Sequence, residues 1–394
     1  MKAVGDRAET FIPLCEPFMG GREKEYVASC IEENWVSSVG AFVDRFEADL
    51  AARSGCAYAV ATSSGTAALH IALLVAGVRP EDEVITSTLT FIASVNAIRY
   101  AGAVPVLVDA DSRTWQMDLD LVEGFLNHGC VRGSDGRLIN KRSGRPVTAI
   151  LPVHVHGDPV DMERLGALAE AFGVVVMEDA TEALGSVFNG RMLGSFGRVG
   201  CFSFNGNKLI TTGGGGMIVT DDADLARRAR HLTTQARTSP AEYLHDEVGY
   251  NYRLTNLQAA MGVAQLEQLD AFVAKKRSIA ERYDAAFREV PGLTPQGRAP
   301  GAASNRWMYA LEVEPGQEGP DARAVLSRLA DRRIQGRPIW QPMHLGAVHG
   351  TCQVLNGDVA ARLYDRVLSL PCSVGLTDVD QARVIAGVLQ ALGA

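Results

Sequence analysis

VVVMEDATEALGSVFNGRMLGSFGRVGCFSFNGNKLITTGGGGMIVTDD, residues 174–222, is the stretch whose reading decides the rest of the chain. Val174, Val175, Val176 and Met177 form a short apolar run after Gly173, long enough for a buried parallel strand and too short for a helix. Glu178 and Asp179 then fall at its carboxyl end, the edge at which open α/β sheets hold ligands. Lys208 follows among glycines and small polar residues, and Gly213–Gly216 lead into Met217, Ile218, Val219 and Thr220, which predicts a hairpin where backbone comes close. A carboxylate able to pair with a protonated ring nitrogen and a lysine able to form a Schiff base are the two groups that a pyridoxal phosphate enzyme requires. Taken singly, the same residues read as a helix cap and a solvated loop charge, because charged side chains are mostly exposed.

Outward from that stretch, strands and helices alternate. A strand over 58–62 is followed by Ser63-Ser64-Gly65-Thr66 and a helix over 67–76. Small residues with free amides at a helix start make an anion site, although a serine there also serves as a simple N-cap. No G-x-x-x-x-G-K-[ST] and no strand-coupled G-x-G-x-x-G occurs, which weakens nucleoside triphosphate and dinucleotide readings. Strands over 83–86, 105–109 and 147–153 and helices over 91–100 and 162–172 continue the alternation, which predicts βαβ units and a mainly parallel α/β sheet. Phe91 opens a helix, where it is either core or a stacking partner for a flat ring. His154 and His156, two apart on an expected strand, share one face. No further ligand lies nearby, so we expect no metal.

Helices are expected over 21–33, 41–54 and 256–268. Residues 34–40 form a loop whose Trp35 is either a linker residue or a wall for a sugar, and residues 133–144 read as a surface excursion. Residues 1–10 read as a loose leader. Beyond about residue 271 the composition turns to charged helices and short strands, which sets an expected large domain over 11–270 and a smaller C-terminal α+β domain over 271–394.

With 394 residues, 47% of them hydrophobic and 21% charged, the chain has an ordinary globular composition. A net charge of −8 without a basic block argues against nucleic acid. The seven cysteines are odd in number and never spaced C-x-x-C, as in a protein with reduced thiols. MKAVGDRAET lacks an apolar signal core, and no apolar run reaches the roughly 20 residues of a membrane span. A cytoplasmic enzyme without membrane contact is expected.

The motifs W-V-S-S-V-G, S-S-G-T-A-A-L, T-F-I-A-S-V-N-A-I, E-D-A-T-E-A-L-G-S, F-S-F-N-G-N-K-L-I-T-T-G-G-G-G-M and G-Y-N-Y-R-L-T-N-L-Q-A-A occur in this order. Together they resemble the DegT/DnrJ/StrS family of sugar aminotransferases, fold-type I pyridoxal phosphate enzymes. The resemblance runs from about Ile12 to the C-terminus. It implies that Lys208 carries the Schiff base and Asp179 pairs with the pyridine nitrogen. Gly65 and Thr66 would offer backbone amides, and Ser203 a hydroxyl, to the phosphate. Phe91 would cover the ring, and Asn251 would reach the phosphate in a neighbouring subunit, which implies a homodimer with shared sites. Glu182 stands near the phenolic oxygen where many members carry Gln or His, so its carboxylate must be protonated or paired there. Gly214 replaces a Glu common in the family.

Both departures are similar to the branch that aminates UDP-linked 4-keto-6-deoxy-N-acetylhexosamines for legionaminic-type sugars. L-glutamate is the implied donor and a nucleotide-linked keto sugar the acceptor. Arg253, Arg306, Arg333 and Arg337 are all available for the glutamate carboxylate, and His344 is a candidate for the acceptor pocket. Two other readings remain: amination of a 3-keto sugar or keto-cyclitol, and a pyridoxal phosphate-binding regulatory or assembly protein without turnover.

Overall fold

The apolar run of the central stretch is a strand, Val175–Asp179, so Glu178 and Asp179 are its last two residues and not a loop beyond it. Successive strand residues point to opposite faces, and the two carboxylates are therefore sent to different places. A computed structural model of the chain describes residues 10–239, 241–316 and 319–393. All but the last residue of the expected leader lies outside the described residues.

Eight strands form the large sheet: β1 Tyr58–Thr62, β2 Glu83–Ser87, β3 Val104–Val108, β4 Val147–Leu151, β5 Val175–Asp179, β6 Val199–Ser203, β7 Gly216–Thr220 and β8 Gln353–Leu355. Their spatial order is β1-β7-β6-β5-β4-β2-β3-β8. β7 runs antiparallel to both neighbours, and the other neighbouring pairs are parallel. Fully buried runs such as EVITS and GMIVT belong in such a sheet because helices cover both of its faces. Helix Gly65–Val75, apolar nearly all round, lies against β6 and β7. On the other face helices Ala41–Ser54 and Asn256–Leu266 pack together, with the Phe46 ring of the first 4.9 Å from the Phe204 ring beyond β6.

The C-terminal segment builds a four-stranded antiparallel sheet in the order Leu293–Pro295, Tyr309–Val313, Val367–Leu370, Arg337–Pro338. Helix Leu269–Phe287 spans the division expected at 270/271, and β8, from beyond that point, returns to extend the large sheet alongside β3. No helix among the described residues is long and apolar enough to cross a membrane.

The surface excursion at 133–144 is mostly exposed and carries part of a small hairpin, Cys130–Arg132 paired with Leu138–Asn140. Two local expectations need correction. The helix expected over 256–268 ends at Leu266, and a second one starts at Leu269. His154 and His156 do not share a strand face, because the chain leaves β4 at Leu151 and enters a 3-10 turn, Val155–Gly157, with φ of +60° at His156.

Candidate active site

At the carboxyl ends of β1, β5 and β6 lies a cavity of about 340 Å³, within the range of small-molecule sites. Of the residues expected in a site, Gly65, Thr66, Phe91, Asp179, Glu182, Ser203 and Lys208 all line it.

Asp179 ends β5 with its carboxylate at the cavity. Its Oδ2 accepts the Ser94 hydroxyl at 2.6 Å, and its Oδ1 accepts the Thr181 amide at 3.1 Å. Glu178, one residue earlier, faces the opposite way and is fully buried. It accepts the amides of Gly194 at 2.7 Å and Gly197 at 2.6 Å, and its Oε2 lies 3.1 Å from His154 Nε2. His154 Nδ1 accepts the Val160 amide at 3.3 Å, so its proton sits on Nε2 and is donated to Glu178. One carboxylate of the pair thus ties loops together, and the other is offered to a ligand.

Lys208 lies in the loop between β6 and β7. Its Nζ stands 4.1 Å from the centre of the Trp307 ring and 3.7 Å from Glu182 Oε1. Glu182 is buried and accepts the His156 amide at 2.8 Å. Burial pushes its carboxyl up to about 7, against the opposing pull of Lys208 and of the His156 amide. The carboxylate that the sequence required to be protonated or paired is therefore paired, and poised to hold a proton near neutral pH. His156 is held neutral, because burial pushes its imidazole down to about 4; its Nδ1 lies 3.1 Å from Gln296 Oε1.

The opposite end of the cavity is built for an anion. Ser64 caps helix Gly65–Val75 through its hydroxyl, which accepts the Ala67 amide at 3.0 Å. The amides of Gly65 and Thr66 are left without an acceptor among the described residues, at the positive end of the helix dipole. A Cβ on Gly65 would stand 2.7 Å from the Ser203 Cβ, and one on Gly216 would stand 2.4 Å from the Ser64 carbonyl oxygen. Glycine is required at both places to bring Ser203 and β7 against the helix start. A carboxylate, an amine and an amide cradle facing one cavity fit the ring nitrogen, aldehyde carbon and phosphate of pyridoxal phosphate.

Sequence reading missed the aromatic wall. Trp307 and Trp340, from the C-terminal segment, are stacked with centroids 6.4 Å apart and planes 16° apart. Phe91 meets Trp340 edge-on at 6.5 Å. The available signal was two of the chain's four tryptophans in a segment otherwise rich in charge. Ser94 was missed as well. Three other candidates lie away from this cavity: Trp35 and Asn251 are exposed, Asn251 bridging to Thr234, and His344 Nδ1 bonds the Thr88 hydroxyl at 2.7 Å.

Residues 17–389 match the model of the DegT/DnrJ/EryC1/StrS aminotransferase family. A GDP-perosamine synthase of Escherichia coli O157:H7 is 41% identical over 85% of this chain and 86% of its own. One of Caulobacter vibrioides is 37% identical over 97% and 98%. Among solved structures, the aminotransferase TlmJ from Streptoalloteichus hindustanus superposes with a TM-score of 0.87 at 29% identity, over 97% of this chain and 99% of its own. This chain belongs to the DegT/DnrJ/EryC1/StrS family and is a pyridoxal phosphate-dependent aminotransferase of fold type I.

Proposed function

We propose that the enzyme moves the amino group of L-glutamate to a nucleotide-linked 4-keto-6-deoxy sugar, in the cytoplasm, for a surface polysaccharide or nonulosonic acid. The observation that carries this reading is the convergence of Asp179 and Lys208 on one cavity that also holds an unsatisfied helix N-terminus. Bound there, pyridoxal phosphate supplies an electron sink for the carbanion formed at the reacting carbon. Asp179 keeps the ring nitrogen protonated. The Lys208 amine would anchor the cofactor and, once released by the incoming donor, would carry the proton from the donor's α-carbon to the cofactor's aldehyde-derived carbon, across the intervening nitrogen. Gly65, Thr66 and Ser203 would hold the phosphate, Phe91 would cover the ring, and Glu182 would place its proton at the phenolic oxygen. Asn251, exposed on this chain, serves the phosphate of a second subunit, making the working unit a homodimer.

A cavity with stacked tryptophans on one wall supports a sugar acceptor, since aromatic faces suit the apolar faces of pyranose rings. The relatives' names support GDP as the nucleotide, whereas Glu182 and Gly214 support the UDP-linked N-acetylhexosamines. A panel of UDP- and GDP-linked 4-keto-6-deoxy sugars, offered with glutamate and read by product mass, separates the two. An enzyme that releases 2-oxoglutarate from glutamate and aminates neither set, but accepts a 3-keto sugar or keto-cyclitol, would displace the 4-keto reading. A chain that releases no 2-oxoglutarate at all would overturn the proposal.

A further inference from the structure

Beside the first cavity lies a second, of about 410 Å³, which shares Asn207, Trp307 and Trp340 with it. Asn207 precedes Lys208, and its carbonyl accepts the Trp307 indole N–H at 2.8 Å, so the shared wall is also the support of the reactive amine. The second cavity has no carboxylate in its lining and one permanent positive charge, Arg337. Arg337 sits exposed on the edge strand Arg337–Pro338, with its backbone paired to Ser369, and its guanidinium has no ion-pair or hydrogen-bond partner among the described residues.

Of the other arginines left open by the sequence, two are committed elsewhere and one lies away from both cavities. Arg253 bonds Glu47 Oε1 and the Ala61 carbonyl, at 2.8 and 3.1 Å. Arg306 is buried between Asp158 and Asp284, at 3.6 and 3.4 Å. Arg333 is exposed and lines neither cavity.

We propose that Arg337, across the Trp307–Trp340 wall from Lys208, is the oxyanion-binding residue for substrate. This inference rests on the transamination reading above. A guanidinium's planar fork matches a carboxylate or phosphate with two parallel hydrogen bonds, and an uncompensated one facing a cavity is ready to take either. Both substrates of the proposed reaction bring such a group: the donor its second carboxylate, the acceptor its diphosphate.

The test is calorimetric binding to the cofactor-loaded enzyme, with glutarate as an unreactive dicarboxylate and with GDP and UDP as diphosphates. Arg337→Gln is expected to weaken glutarate or the nucleoside diphosphate on the order of 10²-fold, as loss of a charged hydrogen-bond pair does. Arg337→Lys should recover part of that loss, since the charge returns without the fork. Weakening of glutarate assigns the site to the donor, of the diphosphates to the acceptor, and of both to each in turn. Unchanged binding in both arms, or a wild type that binds neither probe, overturns the assignment. Release of 2-oxoglutarate from glutamate by the wild type is measured separately; its absence defeats the transamination reading instead.

Discussion

The cavity has two walls of different origin. One is made by strand ends and a helix start in the first part of the chain, where Asp179, Ser203 and Gly65 are fixed by backbone buried on both sides. The other is made by Trp307 and Trp340, from a segment with its own four-stranded sheet, with Arg337 behind them in the second cavity. The first presents groups whose chemistry is the same for every amine and ketone, while the second presents shape and charge. A reaction can thus be kept while its substrate changes, provided the division of labour between the walls is real.

The sharpest way to break this contrast is Lys208→Ala. If Lys208 both attaches the cofactor and transfers the proton, as proposed, its removal should lower turnover by about 10⁴-fold or more. Borohydride should then no longer fix a pyridoxyl mass on the peptide that spans position 208. Asp179→Asn keeps the shape of the strand end and removes its charge. A loss of about 10³-fold in turnover is expected, as for other preorganised electrostatic groups, with glutamate KM little changed; an effect confined to KM would place Asp179 in substrate binding.

Glu182 sharpens the first wall through pH. Its carboxyl lies near 4.5 when unfolded and about 7 when folded, so the folded protein binds the extra proton between those values. Stability from this group is therefore full below pH 4.5 and falls by about 3 kcal/mol as pH rises to 7. His156 does the reverse, its folded value near 4 against 6.5, so its contribution is lost as pH falls from 6.5 toward 4. The two slopes nearly cancel. Urea unfolding should show Glu182→Gln gaining stability over wild type by about 3 kcal/mol between pH 4.5 and 7; a pH-independent difference would contradict the burial argument. The smallest effect belongs to the second wall, where Trp340→Leu should raise acceptor KM by about 10-fold through lost ring stacking and leave cofactor retention unchanged. Loss of cofactor in that variant would dissolve the distinction between the walls.

The sequence made the first wall readable because its signals are local. A strand ends in a carboxylate, a serine precedes a helix, a lysine sits among glycines, and each is recognisable within a few residues of chain. The second wall depends on contacts across the molecule: Trp340 meets Phe91 and His156 only after the chain has folded, and nothing near position 340 announces this. Ser94 was missed for the same reason, since its partner Asp179 lies 85 residues away. The reading of His154 and His156 failed because β4 ends at Leu151, before either histidine, and the chain then turns through a left-handed residue at His156.

The short strand Gln353–Leu355 lies alongside Val106–Val108 at the margin of the large sheet. Anyone grafting the tryptophan-bearing segment of a relative onto this chain to change its sugar preference would import that strand too, and with it the plug for an otherwise bare sheet margin. Chimeras joined once, near residue 270, would mix unmatched neighbours there and risk sticking edge to edge. Junctions on either side of 353–355 would leave the host's own plug in place.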